Sequence, residues 1–449
     1  MRFTAQSIIG PVTDLETRPA PPESALRRAA PALLGYAAVR ALGLLALVLW
    51  SAARDKSAYT LLTARWDSLW YTRVAELGYG YEVRLPNGDV HSNLAFFPLL
   101  PWLERGIAAV TPLSAADAGF AVSLLGSLAA AWGVFAVADH VYGRRAGVCA
   151  VLVWAVLPVG IVQSMAYSES LFTALAAWSL YAVLTGRWVT AGVLASLAGL
   201  TRPVGLAVVA AVWVAAIVAL GRDRAAAGGP PSERERSAAR TGGAEAGARA
   251  PAPAAEGTDR RDPGTGDTPH PPRAPGVRSA AGAHPLPRAL ALLIAPLGAA
   301  AYVLWVGHHT GKGPLGYLDV QAGWRNGFDG GYAFARFVGE KFTSFPSALA
   351  GAGLIAGVGL VVWLYVVGVR QRQPLPLLVY TGVVTALALC ASSYFGSKPR
   401  LLLPAFPLLF PLALALSRLR TSRSVLVVCG IALASAVYGA FWLNGSGPP

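Results

Sequence analysis

Ionisable groups are scarce in this chain, and those that border apolar runs are the ones able to do chemistry. Charged residues make up 13% of the 449 positions and hydrophobic residues 55%. Asp67 stands between Trp66 and Trp70 in Arg65-Trp-Asp-Ser-Leu-Trp-Tyr71, at the start of a polar interval that ends at Pro101. Glu169 lies in Gln163-Ser-Met-Ala-Tyr-Ser-Glu-Ser170, Arg202 in Thr201-Arg-Pro203, and Lys398 and Arg400 in Ser397-Lys-Pro-Arg400. Asn93, Trp324 and Arg325 fall in the two long polar intervals. A charge near the end of an apolar helix is costly to hold, so such groups are functional or paired. A carboxylate there can take a proton from a hydroxyl group, and cations beside it can hold a phosphate as it leaves.

Other candidates carry less. Glu76, Asp319 and Glu340 read as solvated loop charges. His308 and His309 are adjacent, so they cannot share one helical face, and they read as loop residues rather than metal ligands. Cys149, Cys390 and Cys429 lie in apolar segments without metal or redox spacing, and read as small core residues. No dinucleotide fingerprint, phosphate loop or HExxH is present, so nucleotide-sugar and zinc chemistry have no support. Neither a metal nor a cofactor is expected.

The elements that must position these groups are membrane helices. A soluble domain carries roughly 25% charged residues, well above the share here, and apolar runs of roughly 20 residues recur along the chain. The reading is an all-α polytopic membrane protein with about eleven transmembrane helices. The formal charge of +14 reads as arginines in cytoplasmic turns rather than a nucleic-acid surface.

In order, residues 1–30 are expected to be a cytoplasmic tail. Residues 31–220 form an N-terminal transmembrane half, with a first outer loop at 54–93. In that loop Trp66, Leu69, Trp70, Val74 and Leu77 recur at helical spacing, which predicts an amphipathic helix in the membrane interface. Asp67, Tyr71, Thr72 and Glu76 fall on its other side, towards water. Residues 94–112 read as a broken or interfacial helix. Residues 188–220 read as a short helix, a turn at Arg202 and a helix back, because proline disfavours helix at the residue before it. Residues 221–287 are rich in Ala, Gly, Pro, Arg and Glu and read as a disordered cytoplasmic linker. Residues 288–449 form a C-terminal transmembrane half with a second outer loop at 307–345. In this register the turns at Arg144, Arg187, Arg370 and Arg418 are all cytoplasmic and the chemical groups gather on the outer face of the cell membrane.

An apolar groove for a polyprenyl tail, a carboxylate base and nearby cations together describe glycosyl transfer from a lipid-phosphate sugar. The motifs agree. Arg65-Trp-Asp-Ser-Leu-Trp-Tyr71, Ala75-Glu-Leu-Gly-Tyr79 and Asn93-Leu-Ala-Phe-Phe-Pro-Leu-Leu-Pro101 resemble the PIG-V-like mannosyltransferases, integral membrane enzymes of the GT-C superfamily. Tyr167-Ser-Glu-Ser-Leu-Phe172, Leu200-Thr-Arg-Pro-Val-Gly205, Gln321-Ala-Gly-Trp-Arg325 and Arg400-Leu-Leu-Leu-Pro-Ala-Phe-Pro407 are similar to later motifs of that family. The resemblance implies a GT-C fold and a metal-independent, inverting transferase. It would use polyprenyl-phosphate mannose on the non-cytoplasmic face. The acceptor would be a hydroxyl of a glycolipid, a glycan or a protein. Asp67 would be the base and Glu169 the acid of the second outer turn, lining the substrate; Arg202, Arg400 and Lys398 are read, from their own charge, as the donor-phosphate ligands. Arg65, Trp66, Trp70, Asn93, Trp324 and Arg325 would line the substrate. The competing expectations are a glycolipid flippase, which predicts inverted repeats and midplane charges, and a non-catalytic membrane subunit.

Overall fold

A computed structural model describes residues 24–227, 285–392 and 394–445. Most of the expected tail and the expected linker between 228 and 284 lie outside the described residues. The elements are α1 (Ala25–Ala52), α2 (Ala58–Thr63), α3 (Asp67–Leu77), β1 (Glu82–Arg84), β2 (Val90–Ser92), α4 (Leu99–Val110), α5 (Ala115–Tyr142), α6 (Arg144–Ala155), α7 (Ser168–Leu184), α8 (Trp188–Gly199) and α9 (Leu206–Ala227). After the linker come α10 (Leu286–Ile294), α11 (Leu297–His309), α12 (Gly316–Gly323), α13 (Tyr332–Glu340), α14 (Ser347–Arg370), α15 (Leu375–Cys390), α16 (Lys398–Leu401), α17 (Phe410–Arg418) and α18 (Thr421–Leu443).

The chain is a nearly all-helical, multi-pass membrane protein. Among the described residues, six stretches are long and apolar enough to cross a bilayer: α1, α5, Pro203–Ala225, Leu286–His309, α14 and α18. Two bent pairs raise this to eight: α6 with the turn Pro158–Ser164, bent by 90°, and Phe395–Leu401 with Phe406–Arg418, bent by 79°. Helices α7, α8 and α15 are apolar but shorter. Helix α4 has 12 residues, about 18 Å of rise, and with Glu104 and Arg105 it is not one of these apolar helices. Residues 94–112 therefore form a short helix after a break, as their prolines imply.

Three boundaries differ from the expectation. Helix α1 starts at Ala25 rather than Pro31, capped by the Ser24 hydroxyl, which accepts from the Arg27 N–H. Pro31 is tolerated inside it because the carbonyl it leaves without a donor, that of Arg27, accepts from Arg144 Nη2 at 3.5 Å. Helix α9 runs on to Ala227, and α10 begins at Leu286, so both ends of the linker are helical. The loops also hold more order than their polarity implied. Strands β1 and β2 pair antiparallel as a hairpin, Glu82 opposite Ser92, and α12 and α13 occupy the second long loop.

The helical layer has two distinguishable ends. At one, Arg28 pairs with Asp139 at 2.8 Å, Arg145 donates to the Leu419 carbonyl at 2.5 Å, and His140 meets the Tyr181 ring. Arg288 pairs with Asp223 and lies over Trp188 at this same basic end. At the other, Tyr59 donates to Asp117 at 2.5 Å, Lys56 to the Asn444 carbonyl at 2.7 Å, and the Leu99 N–H to the Leu200 carbonyl at 3.0 Å. Helix α7 runs from this second end to the basic end, α8 returns, and α9 descends again.

Candidate active site

The second end carries a chain of four charges drawn from four elements. Arg202 Nη1 lies 2.5 Å from Glu169 Oε1. Arg400 Nε lies 3.3 Å from the same oxygen, and Arg400 Nη1 lies 2.9 Å from Asp67 Oδ2. Two guanidiniums thus face two carboxylates, and Glu169 is shared. The side chain of Glu169 is 1% exposed, Arg400 9%, Arg202 13% and Asp67 26%. Glu169 and Arg400 are the most deeply buried, and Asp67 is the most exposed of the four.

Each side chain is placed by a local device. Trp66 holds a positive φ of 52°, an outlier for a bulky residue, and this turn makes Asp67 the first residue of α3. Arg65 lies 4.1 Å over the Trp66 ring, and the Ser68 hydroxyl donates to the Arg65 carbonyl at 2.6 Å while accepting its N–H at 3.1 Å. The Arg-Trp-Asp-Ser run is therefore a self-locked corner. The carboxylate sits at a helix N-terminus, where the backbone dipole favours it.

Glu169 stands in the first turn of α7, again at a helix N-terminus. The turn before it is pinned from two sides: Ser123 on α5 donates to the Tyr167 carbonyl at 3.0 Å, and the Ala166 N–H donates to the Leu62 carbonyl at 2.9 Å. Arg202 occupies the break between α8 and α9, in extended conformation before Pro203. The break is tight. A Cβ on Gly205 would lie 2.6 Å from Gly199 Cα, so only glycine lets the two segments approach. Arg400 lies on α16, just before the 79° bend, with its guanidinium 5.1 Å over the Tyr167 ring.

These contacts are ion pairs by distance but not aligned hydrogen bonds. Both oxygens of Glu169, and Nε and Nη1 of Arg400, are buried without an aligned hydrogen-bond partner. Close charges with spare hydrogen-bonding capacity are a marker of a binding site.

Tyr71, one helical turn beyond Asp67, joins this cluster although its sequence position suggests a water-facing side chain. Its hydroxyl lies 2.7 Å from Ser168 Oγ, itself 3.4 Å from Arg202 Nη1. Burial pushes the Tyr71 phenol above its ordinary value, so it stays neutral. The i to i+4 spacing from Asp67 was the signal that could have found it. The expected faces of α3 need correction at Tyr71, which is expected towards water but is buried. Tyr71, Ser68, Val74 and Ala75 are buried, while Leu69 and Leu77 are exposed. The helix packs its mixed side inward and turns its leucines outward.

The other side of Tyr71 meets an aromatic group. Its ring packs edge-on against Phe96 at 5.2 Å, and Trp70 stacks on Phe96 at 5.6 Å. Trp324 reaches Trp70 at 4.9 Å from the second loop and stacks on His91 at 4.0 Å. Its indole N–H donates to the Ser92 carbonyl at 3.0 Å. The two long loops therefore share one aromatic floor beside the ion pairs. Burial lowers the His91 imidazole below its ordinary value; Arg325 acts the same way and Asp89 opposes.

Three expected contributors are used elsewhere. The Lys398 ammonium donates to the carbonyls of Ala388 at 2.9 Å and Ala391 at 2.8 Å, and lies over the Phe334 ring. It caps the C-terminal end of α15, where helix carbonyls lack donors, instead of joining Arg400. Asn93 is fully buried. Its amide donates to the Gly78 carbonyl and accepts from the Gly80 N–H, each at 3.0 Å. It clamps the loop at two positive-φ glycines instead of facing a substrate. Arg325 is an exposed residue paired with Asp89 at 2.6 Å, tying the second loop to the hairpin. Among the described residues, Glu76 does not join the charge chain; Asp319 pairs with Lys312 and Glu340 with Arg336 on the surface. No group of three or more His, Cys, Asp or Glu suited to a metal occurs among the described residues.

The sequence matches no protein-family model and no curated protein.

Proposed function

We propose that the chain is a GT-C-type membrane glycosyltransferase of the PIG-V-like kind, moving a sugar, mannose by preference, from a polyprenyl-phosphate donor to an acceptor hydroxyl. The observation that carries this reading is the Arg202–Glu169–Arg400–Asp67 chain, in which Asp67 alone of the four is more than a fifth exposed. Asp67 takes the proton of the acceptor hydroxyl. The acceptor oxygen forms the new bond to the anomeric carbon from the face opposite the phosphate, so the configuration inverts. The carbon–oxygen bond to the phosphate breaks, and its electron pair leaves with the phosphate oxygen. Polyprenyl monophosphate gains negative charge there, beside Arg400. The aromatic floor of Trp70, Phe96 and Trp324 lines the approach from the loops.

Eleven crossings follow if the shorter apolar helices α7, α8 and α15 join the six long stretches and the two bent pairs. An odd number is supported by the termini: the start of α1 lies at the basic end and Asn444 at the opposite end. The basic end is then cytoplasmic, by the usual preference for Lys and Arg on that side, and the site faces outward.

The test uses membrane vesicles carrying the wild type or Asp67→Asn, supplied with radiolabelled polyprenyl-phosphate mannose and native lipid extract. The expected result is a labelled product with the wild type only. Equal transfer by both proteins removes Asp67 as base. A folded wild-type protein that transfers nothing to any acceptor in the extract removes mannose as the donated sugar or favours the flippase.

A further inference from the structure

The four charges are not equally fixed, and this difference matters because the free protein holds its candidate base in an ion pair. Arg202 and Glu169 lie 2.5 Å apart, and both are shielded from solvent. The Arg400–Asp67 contact, at 2.9 Å, has one shielded partner and one that is 26% exposed. The Arg400 guanidinium sits against Asp67 Oδ2, so that oxygen is engaged and not free to meet an acceptor hydroxyl. The same guanidinium is the cation paired directly with the most exposed carboxylate of the four, so a phosphate arriving at Asp67 is within its reach. Its Nε and Nη1 have no aligned acceptor. A phosphate offers two oxygens that match the planar fork of an arginine, so it gains good hydrogen bonds where Asp67 gives up a misaligned contact.

We infer that Arg400 exchanges partners: an entering polyprenyl-linked phosphate takes the guanidinium from Asp67 and so releases Asp67 to act as base, while Glu169, held by Arg202, stays in place and aims Arg400. The inference rests on the proposed transferase reading and adds an order to it, donor before proton transfer. It also assigns Glu169 and Arg202 as positioning residues rather than phosphate ligands. After transfer, Asp67 carries the acceptor's proton and no longer competes for Arg400. Loss of that proton to water restores its charge, and the carboxylate then helps displace the phosphate product.

The experiment measures binding rather than turnover. Purified protein is titrated with farnesyl monophosphate, and with farnesol as a control for the apolar tail. Competition predicts that Asp67→Asn binds farnesyl monophosphate roughly fivefold more tightly than the wild type, the scale of releasing one weak, partly exposed pair. Asp67→Ala gives the same direction should the asparagine variant fold poorly. Asp67→Glu keeps a competing carboxylate and stays near the wild type. Glu169→Gln weakens binding, because Arg400 loses its aim, and farnesol binding is alike in all variants. Equal or weaker binding by Asp67→Asn and Asp67→Ala overturns the partner exchange, yet leaves the donor reading standing if Arg400→Met abolishes the phosphate preference. Farnesyl monophosphate binding no better than farnesol in wild type and both neutral variants overturns the donor reading itself.

Discussion

Arg40 and Arg400 are both buried arginines beside a broken helix, and their surroundings assign them opposite jobs. Arg40 lies near the middle of α1. Its guanidinium donates to the carbonyls of Ala155 and Gly160, at the 90° bend between α6 and the turn Pro158–Ser164. At the bend both carbonyls gain a side-chain donor from across the bundle, and in a membrane no water would replace it. Arg400 instead faces two carboxylates and a tyrosine ring. Backbone carbonyls are permanent partners, whereas a carboxylate can be protonated or displaced. The first arginine therefore holds the fold, and the second is available for exchange.

The sharpest way to break this contrast is at Glu169, on which Arg202 and Arg400 converge. Glu169→Ala leaves two buried guanidiniums short of a carboxylate, and should destabilise the protein by about 3–5 kcal/mol; a melting temperature in detergent close to wild type removes its pivotal place. Arg400→Met should lower transfer at least about 100-fold, the loss of one charge-stabilising group, while its melting temperature changes far less than that of Glu169→Ala. Arg40→Met should show the reverse, losing about 2 kcal/mol by orphaning two carbonyls while the folded fraction retains its specific activity. If Arg40→Met is inactive yet fully stable, Arg40 belongs to the chemistry and the contrast fails. Asn93→Ala should cost about 1–2 kcal/mol through the loss of its loop clamp, and raise protease cleavage near Gly78.

The smallest effect concerns His91. Its folded-state value lies below the ordinary one, so the neutral ring is favoured by folding. That contribution is complete above the ordinary imidazole range and is lost as pH falls through the lowered value. Acidification should loosen the hairpin from Trp324, seen as a change in tryptophan fluorescence that His91→Gln does not show.

Apolar run length made the helical layer legible from the sequence, since burial in lipid tolerates few alternatives to helix. The break at Arg202 was legible because Thr201-Arg-Pro203 interrupts an apolar run with a residue that restricts its neighbour. The convergence of Asp67, Glu169, Arg202 and Arg400 was legible in outline, because charges beside apolar helix ends are rare. Their pairing was not, because spacing along the chain says nothing of which loop reaches which. Lys398 and Asn93 stand apart from the charge chain for one reason: a polar side chain near a helix end or a turn has backbone groups within reach, and both side chains bind these. The β1–β2 hairpin escaped notice because three-residue strands are too short to show alternation.

One contact at the basic end bears on how the molecule is assembled. Asp223 near the end of α9 and Arg288 near the start of α10 meet, so two positions 65 residues apart in sequence lie side by side at the edge of the helical layer. Closing a long loop costs little more than closing a short one, because the entropy grows only with the logarithm of length. The intervening stretch is thus a natural insertion port. A fluorescent domain placed there should leave both halves docked, and two co-expressed fragments severed there should reassemble into one working unit.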